Sequence, residues 1–214
     1  MPLPPHLPES QLPQALASQL PTAVPAAPWN CRVRALLWLQ RAPSPLPSSS
    51  PFAGRVRAVA VGGFVDYLDS PVGPYREVLA GQLLRTSVVP VLHVPFIAVD
   101  ALASVAGGRD LWDLPKTMAE FAVIGNERVV TGDRWSVRAE PRAYGLRFPI
   151  RGAVRHDQGS GRATSHLRGT ARLARVQVAC QGPTLGGWLG AGRHHGVLVE
   201  GRLVVGPRAP GPSS

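Results

Sequence analysis

Short apolar runs with polar residues at alternate positions dominate this chain, and they predict a structure built mainly from β-strands. A period of two is typical of strands that bury one face. Turn signals rich in proline, glycine, asparagine and aspartate separate the runs. The predicted strands are Arg32 to Gln40, Arg55 to Leu68, Tyr75 to Leu84, Val88 to His93, Phe121 to Ile124, Arg128 to Thr131, Trp135 to Glu140, Gly145 to Val154, Ser165 to Cys180, and Gly196 to Val205.

One segment, Phe96 to Ala106, has the periodicity of a helix. It is apolar at positions 96, 97, 99, 102, 105 and 106, and Gly107 and Gly108 follow it as expected for the end of a helix. Many short antiparallel strands with one internal helix are typical of a closed barrel or a sandwich. We therefore predict a mainly β (α+β) fold.

Composition and length divide the chain into three parts. Residues 1–27 are proline-rich and almost uncharged, which predicts a largely disordered leader. Residues 28–208 are enough for one domain with its own core, and residues 209–214 form a short disordered tail. The chain has neither a secretory signal pattern nor an apolar run of membrane-spanning length, so we expect a cytoplasmic protein without a membrane partner.

The formal charge of +10 raises the question of nucleic-acid binding. The arginines are mostly spread singly along the predicted strands, and the basic stretch from Arg151 to Arg175 lacks interleaved aromatic residues. No zinc-finger or RNA-binding signature accompanies it. We therefore expect no nucleic-acid partner, and we interpret the stretch as a solvated flap, a subunit contact or a surface that attracts an anionic substrate.

Sites for metals and cofactors are not indicated. The histidines are scattered, and the adjacent His194 and His195 would face opposite sides of a strand. Cys31 and Cys180 lie in apolar, strand-like contexts typical of reduced core cysteines. Phosphate-binding loops, dinucleotide fingerprints and the serine-hydrolase elbow are missing as well, so the sequence predicts chemistry without a cofactor.

Lys116 is the candidate nucleophile. Lysine and arginine together number 23, and Lys116 is the only lysine among them. Arginine replaces lysine as a surface cation but stays charged, whereas a primary amine can lose its proton and attack a carbonyl. Leu111, Trp112, Leu114 and Met118 surround Lys116 with apolar side chains, which would disfavour the ammonium form. The alternative is codon bias that left one lysine by chance.

The segment "GGRDLWDLPK", which ends at Lys116, resembles the active-site segment of the acetoacetate decarboxylase family. The likeness continues through "SPVGPYREV" (Ser70 to Val78) and "VPFIAVDALAS", and more weakly through "VQVACQGPT" and "RHHGVLVEGRLVVGPR", so that it spans roughly residues 28–208. The resemblance implies a cone-shaped antiparallel β-barrel with the active site inside. It also implies that Lys116 forms a Schiff base, as an activated lysine of this family does.

The same resemblance implies roles for further residues. Glu77 falls on the family's active-site glutamate, although it can equally be a structural partner of an arginine. The family's active-site arginine falls on the early strand, where Arg32 and Arg34 both remain possible and alternation places them on the same side. Arg109 either clamps a neighbouring aspartate or faces the pocket.

Two departures from the family pattern bear on the substrate. Thr117 stands where well-known members have a second lysine, so desolvation, alone or with Arg109, would have to activate Lys116. A second family glutamate falls near Gly62 and Gly63, so that carboxylate is missing.

We therefore expect a Schiff-base decarboxylase that acts on acetoacetate or a related small β-keto acid. An imine-dependent aldolase or dehydratase is one alternative, and a ligand-binding barrel without turnover is another. A homo-oligomer is possible because the family tends to form oligomers.

Overall fold

The computed structural model describes residues 7–41, 56–84, 90–158 and 161–210, and within them most residues lie in β-strands. The strands are β1 (Trp29–Arg41), β2 (Val56–Asp69), β3 (Tyr75–Leu84), β4 (Val91–Val99), β5 (Lys116–Met118), β6 (Glu120–Ile124), β7 (Glu127–Gly132), β8 (Trp135–Asp157), β9 (Gly161–Gln181), β10 (Gly192–Val205) and β11 (Ala209–Pro210). The helices are α1 (Gln14–Ala17), α2 (Leu102–Trp112) and α3 (Leu185–Trp188), and a 3-10 turn covers Pro8–Ser10. The predicted mainly β fold is confirmed.

The sheet bends round on itself into a ring. Its order is β11-β9-β10-β1-β2-β3-β4-β8-β7-β6, and β8 also pairs with β9 along most of its length, which closes the path. The closure between β4 and β8 is parallel and short, with Val91 opposite Arg155 and Leu92 opposite His156. Because of this short parallel closure, the ring is not a regular antiparallel barrel, which corrects that part of the expectation.

Alternation along β1 shows how the sheet is built. Trp29, Cys31, Val33 and Ala35 are buried, whereas the residues between them are exposed. These buried positions line a cavity inside the ring. From Leu36 and Trp38 onward the other face is also buried, in a second core with α3 and the start of β8.

The predicted helix Phe96 to Ala106 is wrong in its first half. Phe96 to Val99 continues strand β4, which is buried at every position, and α2 begins only at Leu102. A short apolar run without polar interruptions fits a strand buried on both faces as well as it fits a helix. The ladder with β3 decides between them, since Phe96 pairs with Ala80 and Ala98 with Val78.

Gly107 and Gly108 do not end the helix as predicted but lie inside α2. Asp113, in the left-handed conformation with φ of 56°, caps the helix instead. The two glycines allow close approach: a Cβ at Gly107 would lie 2.5 Å from the Trp29 ring, and one at Gly108 would lie 2.4 Å from Lys116 Cδ. They are therefore required by packing rather than by backbone conformation.

Residues 7–27 of the predicted leader are among the described residues, and the first of them contact the rest of the chain. The Leu7 amide donates to the Pro95 carbonyl at 3.1 Å, and the Ser10 hydroxyl donates to the same oxygen. Glu9 accepts hydrogen bonds from the Thr184 amide, the Thr184 hydroxyl and the Leu185 amide, at 2.7 to 2.9 Å. These contacts join the start of the described leader to β4 and to the N-terminus of α3. Residues 1–6 and 211–214 lie outside the described residues.

Replacing Glu9 with glutamine is expected to destabilise the protein by about 1 to 2 kcal/mol, since charged acceptors form the stronger hydrogen bonds. Burial raises the pKa of Glu9, but the hydrogen bonds from Thr184 and Leu185 outweigh it, so the pKa lies below its ordinary value. The stabilisation is therefore present above the ordinary pKa of glutamate and is lost as the pH falls through the lowered value. Urea unfolding at pH 7 and pH 3 measures the difference between the two proteins, and Glu120→Gln at an exposed position is the control. An equal loss of stability in both variants would contradict the capping role.

In the part of the chain that the structure describes, none of the helices has the length and apolar character that crossing a bilayer requires.

Candidate active site

Lys116 is held inside the ring, next to β4. It begins the short strand β5, which runs parallel to β4 with Lys116 opposite Ile97. The Arg109 side chain donates from Nε to the Lys116 carbonyl oxygen at 2.6 Å. Only 3% of Lys116 is exposed. The main chain of Lys116 is thus held by Arg109, and the residue as a whole is buried.

The Lys116 ammonium nitrogen contacts two polar groups. Its Nζ donates to Glu77 Oε2 at 2.8 Å and to the Ser104 hydroxyl at 2.9 Å. The same nitrogen lies 5.1 Å from the centre of the Tyr75 ring, within the range of a cation–π contact. Glu77 and Lys116 lie 39 residues apart in the sequence but form a buried ion pair.

Two stacked tyrosines support the Glu77 carboxylate. Tyr67 on β2 pairs with Tyr75 on β3, and their rings stack with centres 4.1 Å apart. The Tyr67 hydroxyl donates to Glu77 Oε1 at 3.4 Å. Burial raises the pKa of both tyrosines well above the ordinary value, and the Glu77 carboxylate raises it further. Both hydroxyls therefore keep their protons at neutral pH and can serve as hydrogen-bond donors.

A cavity of about 440 Å³ adjoins this cluster. Among the described residues that line it, Glu77 is the only acid, and Lys116 and Arg151 are the only lysine and arginine. Most of the remaining lining side chains are apolar, contributed by β1, β2, β3, β4, β8, β9 and β10. The polar groups that can react therefore meet a large apolar space.

The structure corrects the expected position of the arginines. Arg32 and Arg34 lie on the same side of β1, as alternation predicted, but it is the exposed side. Arg34 forms an ion pair with Glu200 at 3.8 Å. The cavity side of β1 carries Cys31 and Val33 instead. Alternation shows that two residues share a face but does not show which face is inside.

Arg109 does not line the cavity. Besides the Lys116 carbonyl oxygen, it contacts the Ser10 carbonyl oxygen through its terminal nitrogen at 3.1 Å. Burial lowers the pKa of Arg109, and Asp113 partly offsets that effect. Arg109 therefore joins the leader to the lysine segment, and its role is to position the Lys116 backbone.

The position of the missing carboxylate is filled by a hydrocarbon. Gly63 lies at a cavity-facing position of β2, between the lining residues Val61 and Val65. A Cβ at Gly63 would come within 2.7 Å of Leu37 Cδ2, so Leu37 occupies the space that a longer side chain would need. A Cβ at Gly62 would point to the opposite face of β2 and meet the Trp38 ring in the second core. This side of the cavity is therefore apolar.

Sequence reasoning missed Tyr67, Tyr75 and Ser104. A signal for Tyr75 was present, because it precedes Glu77 by two positions on one strand and so shares its face. Tyr67 required the register between β2 and β3, and Ser104 required the true start of α2, neither of which the sequence supplied.

Two further lining residues bear on the chemistry. Burial raises the pKa of Cys31 to about 11, so its thiol stays protonated at neutral pH and does not compete with an amine as nucleophile. Burial lowers the pKa of His156 to about 4, with a smaller contribution from the charge of Lys116. His156 is therefore neutral at pH 7, and its Nε2 lies 2.9 Å from the Ser165 hydroxyl.

Gly108→Ala is expected to lower the rate at which Lys116 reacts with a carbonyl compound by about a hundredfold, the scale associated with a misplacement of about 1 Å. The new Cβ would lie 2.4 Å from Lys116 Cδ and 2.7 Å from Cε, so the lysine side chain must shift from its present position. Gly186→Ala in α3, where a Cβ meets nothing within 4 Å, is the control. Borohydride trapping of a ketone, followed over time by mass spectrometry, compares the two. Equal rates in Gly108→Ala and the control would show that the lysine position tolerates the methyl group.

Among the described residues, no group of three or more histidine, cysteine, aspartate or glutamate side chains is placed to hold a metal ion.

Comparison with known proteins agrees with the fold and the sequence motifs. Residues 43–146 match the family model for acetoacetate decarboxylase. None of the curated proteins compared with the chain matches it.

Several solved structures share the fold at low sequence identity. Acetoacetate decarboxylase from Legionella pneumophila superposes with a TM-score of 0.59 at 16% identity, covering 87% of each chain. The enduracididine biosynthesis enzyme MppR, complexed with pyruvate, superposes with a TM-score of 0.60 at 10% identity, covering 87% of this chain and 91% of the other. An acetoacetate decarboxylase-like enzyme from Sphingomonas wittichii RW1 gives a TM-score of 0.56 at 14% identity, covering 87% and 94%.

These neighbours include enzymes of more than one type, so the shared fold does not select one reaction. In its ring of strands, in the match over residues 43–146 and in the segment around Lys116, the chain is similar to acetoacetate decarboxylase and to acetoacetate decarboxylase-like enzymes.

Proposed function

We propose that the protein is a Schiff-base-forming decarboxylase of β-keto acids in which Lys116 is the nucleophile. The observation that carries the proposal is the position of this single lysine, 3% exposed beside an apolar cavity, with its Nζ 2.8 Å from the Glu77 carboxylate. Such a site provides a base within reach of the ammonium proton.

The reaction begins when Glu77 accepts a proton from the Lys116 ammonium group and frees the amine. The amine adds to the ketone carbon, and loss of water gives a protonated imine. The bond between the α-carbon and the carboxylate then breaks, carbon dioxide leaves, and the electron pair moves toward the imine to form an enamine. Protonation of the enamine carbon and addition of water release the ketone and restore the amine. Overall, one keto-acid anion and one proton give one ketone and one carbon dioxide.

The neighbouring groups have distinct parts in this scheme. Ser104, 2.9 Å from Nζ, accepts a hydrogen bond that directs the amine, and Tyr67 supports Glu77 through its hydroxyl. The tyrosine stack places an electron-rich ring face next to a cationic imine, which stabilises it. The apolar cavity favours loss of the substrate's negative charge, because the products of decarboxylation are neutral.

Borohydride trapping tests the proposal. The purified protein is incubated with acetoacetate and with larger keto acids, reduced, and digested for mass spectrometry, while carbon dioxide release is followed in parallel. With one lysine in the chain, an internal adduct maps to Lys116. An adduct on Lys116 together with carbon dioxide release is the expected result. No adduct with any compound would contradict the proposal and favour a ligand-binding protein without turnover.

An imine-dependent aldolase or dehydratase is the second candidate, and two observations favour it. The described cavity lining has no arginine close to Lys116 in the position expected on β1, where Arg32 and Arg34 face outward. The structural neighbour MppR has been solved with the condensation product of pyruvate and imidazole 4-carboxaldehyde. A keto-acid adduct on Lys116 without carbon dioxide release, and with a new product when an aldehyde is added, would select this candidate.

A further inference from the structure

The cavity is larger than the smallest substrate of the proposed reaction requires. Its volume is about 440 Å³. Acetoacetate has seven non-hydrogen atoms, and at about 30 Å³ each, the volume of a water molecule in the liquid, it would fill about half of the space. By the same measure, the cavity holds about twelve to fifteen non-hydrogen atoms.

The surplus space is apolar and extends away from Lys116 along β4. Lys116 lies opposite Ile97, near the C-terminal end of β4. His156 lies opposite Leu92, near the N-terminal end of the same strand. Ile97 and Leu92 are five positions apart along the strand, a distance of about 16 Å. The apolar wall that runs from Lys116 toward Leu92 is formed by Leu92, Val94 and Ile97 with the partly buried Val61, Leu79, Leu83, Leu114 and Val154.

Charged groups are scarce at the far part of the cavity. His156 is neutral at pH 7 because its pKa is about 4. Arg151 lines the cavity but lies at an exposed position of β8, so water already solvates it. A second carboxylate on the substrate would therefore have no buried cation among the described far-end residues to offset its desolvation, which is costly.

We propose, on the basis of the Schiff-base function above, that the substrate is a carbonyl compound with a long or bulky apolar group of about eight to twelve carbons and no second charge. The carbonyl end reacts at Lys116, and the apolar group occupies the space bounded by the leucine and valine side chains of β3 and β4. Burial of this group supplies most of the binding free energy.

A series of methyl ketones tests the size and character of the apolar group. The alkyl chain grows from methyl to propyl, hexyl, nonyl and dodecyl, and the ketone concentration that gives half-maximal borohydride trapping on Lys116 is measured for each. We expect this concentration to fall by about fourfold per methylene, the effect of burying one methylene group, until the cavity is full. A concentration that stays flat or rises with chain length would overturn the proposal, as would tighter binding of pyruvate or a dicarboxylic keto acid than of the nonyl ketone.

Two substitutions at the far end are expected to change the longest alkyl chain that the cavity accepts, which we call the chain-length limit. They move this limit in opposite directions. Val94→Phe shortens the cavity, so the gain is expected to stop at a shorter chain, whereas Leu83→Ala lengthens it and moves the limit to a longer chain. Val123→Phe, at a position that is 64% exposed and outside the cavity lining, is the matched control and should leave the limit unchanged. If either variant unfolds, the other still tests the prediction. An unchanged limit in a folded variant would show that the alkyl chain does not occupy this space.

A measurement without covalent chemistry separates this proposal from the Schiff-base proposal. Trp29 and Trp112 line the cavity, so their fluorescence reports occupancy when secondary alcohols of the same chain lengths bind to the Lys116→Arg variant. Alcohol binding that tightens with chain length, together with failure of all ketone trapping, would reject the reaction while retaining the ligand class. Trapping of acetone and acetoacetate without any gain from longer chains would reject the ligand class while retaining the reaction.

Discussion

Lys116→Arg is expected to abolish both the borohydride-trapped adduct and any release of carbon dioxide while the protein still folds. A guanidinium group stays protonated throughout the accessible pH range and cannot attack a carbonyl carbon. It can, however, keep an ion pair with Glu77, whose side chain is only 4% exposed. Activity and adduct formation are expected to fall below detection, measured by carbon dioxide release and by intact mass after reduction. Near-ultraviolet circular dichroism should remain close to that of the wild type.

A second variant tests the role of Lys116 without placing the bulkier arginine side chain against Gly108. Lys116→Met has a slim side chain without an amine, but it leaves the Glu77 carboxylate without its cation. Breaking a buried ion pair in this way costs about 3 to 5 kcal/mol, so we expect a lower melting temperature together with the loss of the adduct. Turnover that persists in either folded variant, or an adduct of wild-type yield, would show that a different group carries the chemistry.

Glu77→Gln is expected to slow turnover by about a hundred- to ten-thousandfold, the range associated with a positioned general base. Glutamine has nearly the same shape and can accept the 2.8 Å hydrogen bond from Lys116, but it cannot take the proton. Because bulk solvent must then remove the proton, the rate of the variant should rise steadily with pH. Carbon dioxide release between pH 6 and pH 9, measured for the wild type and the variant, compares how steeply the two rates depend on pH.

Tyr67→Phe is the matched control for that substitution. It removes the hydroxyl that lies 3.4 Å from Glu77 Oε1 but keeps the ring stacked on Tyr75. A loss of less than about tenfold, with the wild-type pH profile, is expected, since the hydrogen bond is long and indirect. If Glu77→Gln behaves like Tyr67→Phe, then Glu77 only positions Lys116 and does not move its proton.

Alternation along the strands was enough to predict most of the sheet, including the segments that became β1, β3, β7, β9 and β10. The prediction failed where apolar and polar residues do not alternate. Phe96 to Val99 is buried on both faces and could be assigned to a helix or a strand until its partners on β3 were known. The predicted break within 141–144 is absent, because β8 runs continuously from Trp135 to Asp157 beside β9. The predicted strand ends at Arg55 and Val88 lie outside the described residues.

The residues of the candidate site were also predicted only in part. Lys116 and Glu77 were selected from the sequence, and the structure brings them to 2.8 Å. Arg32 and Arg34 were placed on the correct strand but on the wrong side of it, because a period of two is unchanged when the two faces are exchanged. The apolar residues Cys31, Val33 and Ala35 between and beside them were the available signal that the other face is buried.

The sequence by itself indicated the likeness to acetoacetate decarboxylase, the mainly β class and the single lysine, because these depend on local pattern and on residue identity. Only the tertiary structure decided that Ser104, Tyr67 and Glu77 meet around Lys116 and that Leu37 fills the space beside Gly63. It also decided the size and apolar character of the cavity. These properties depend on strand register, on the closure of β4 against β8 and on the volumes of side chains distant in sequence, none of which is encoded within a single segment of the chain.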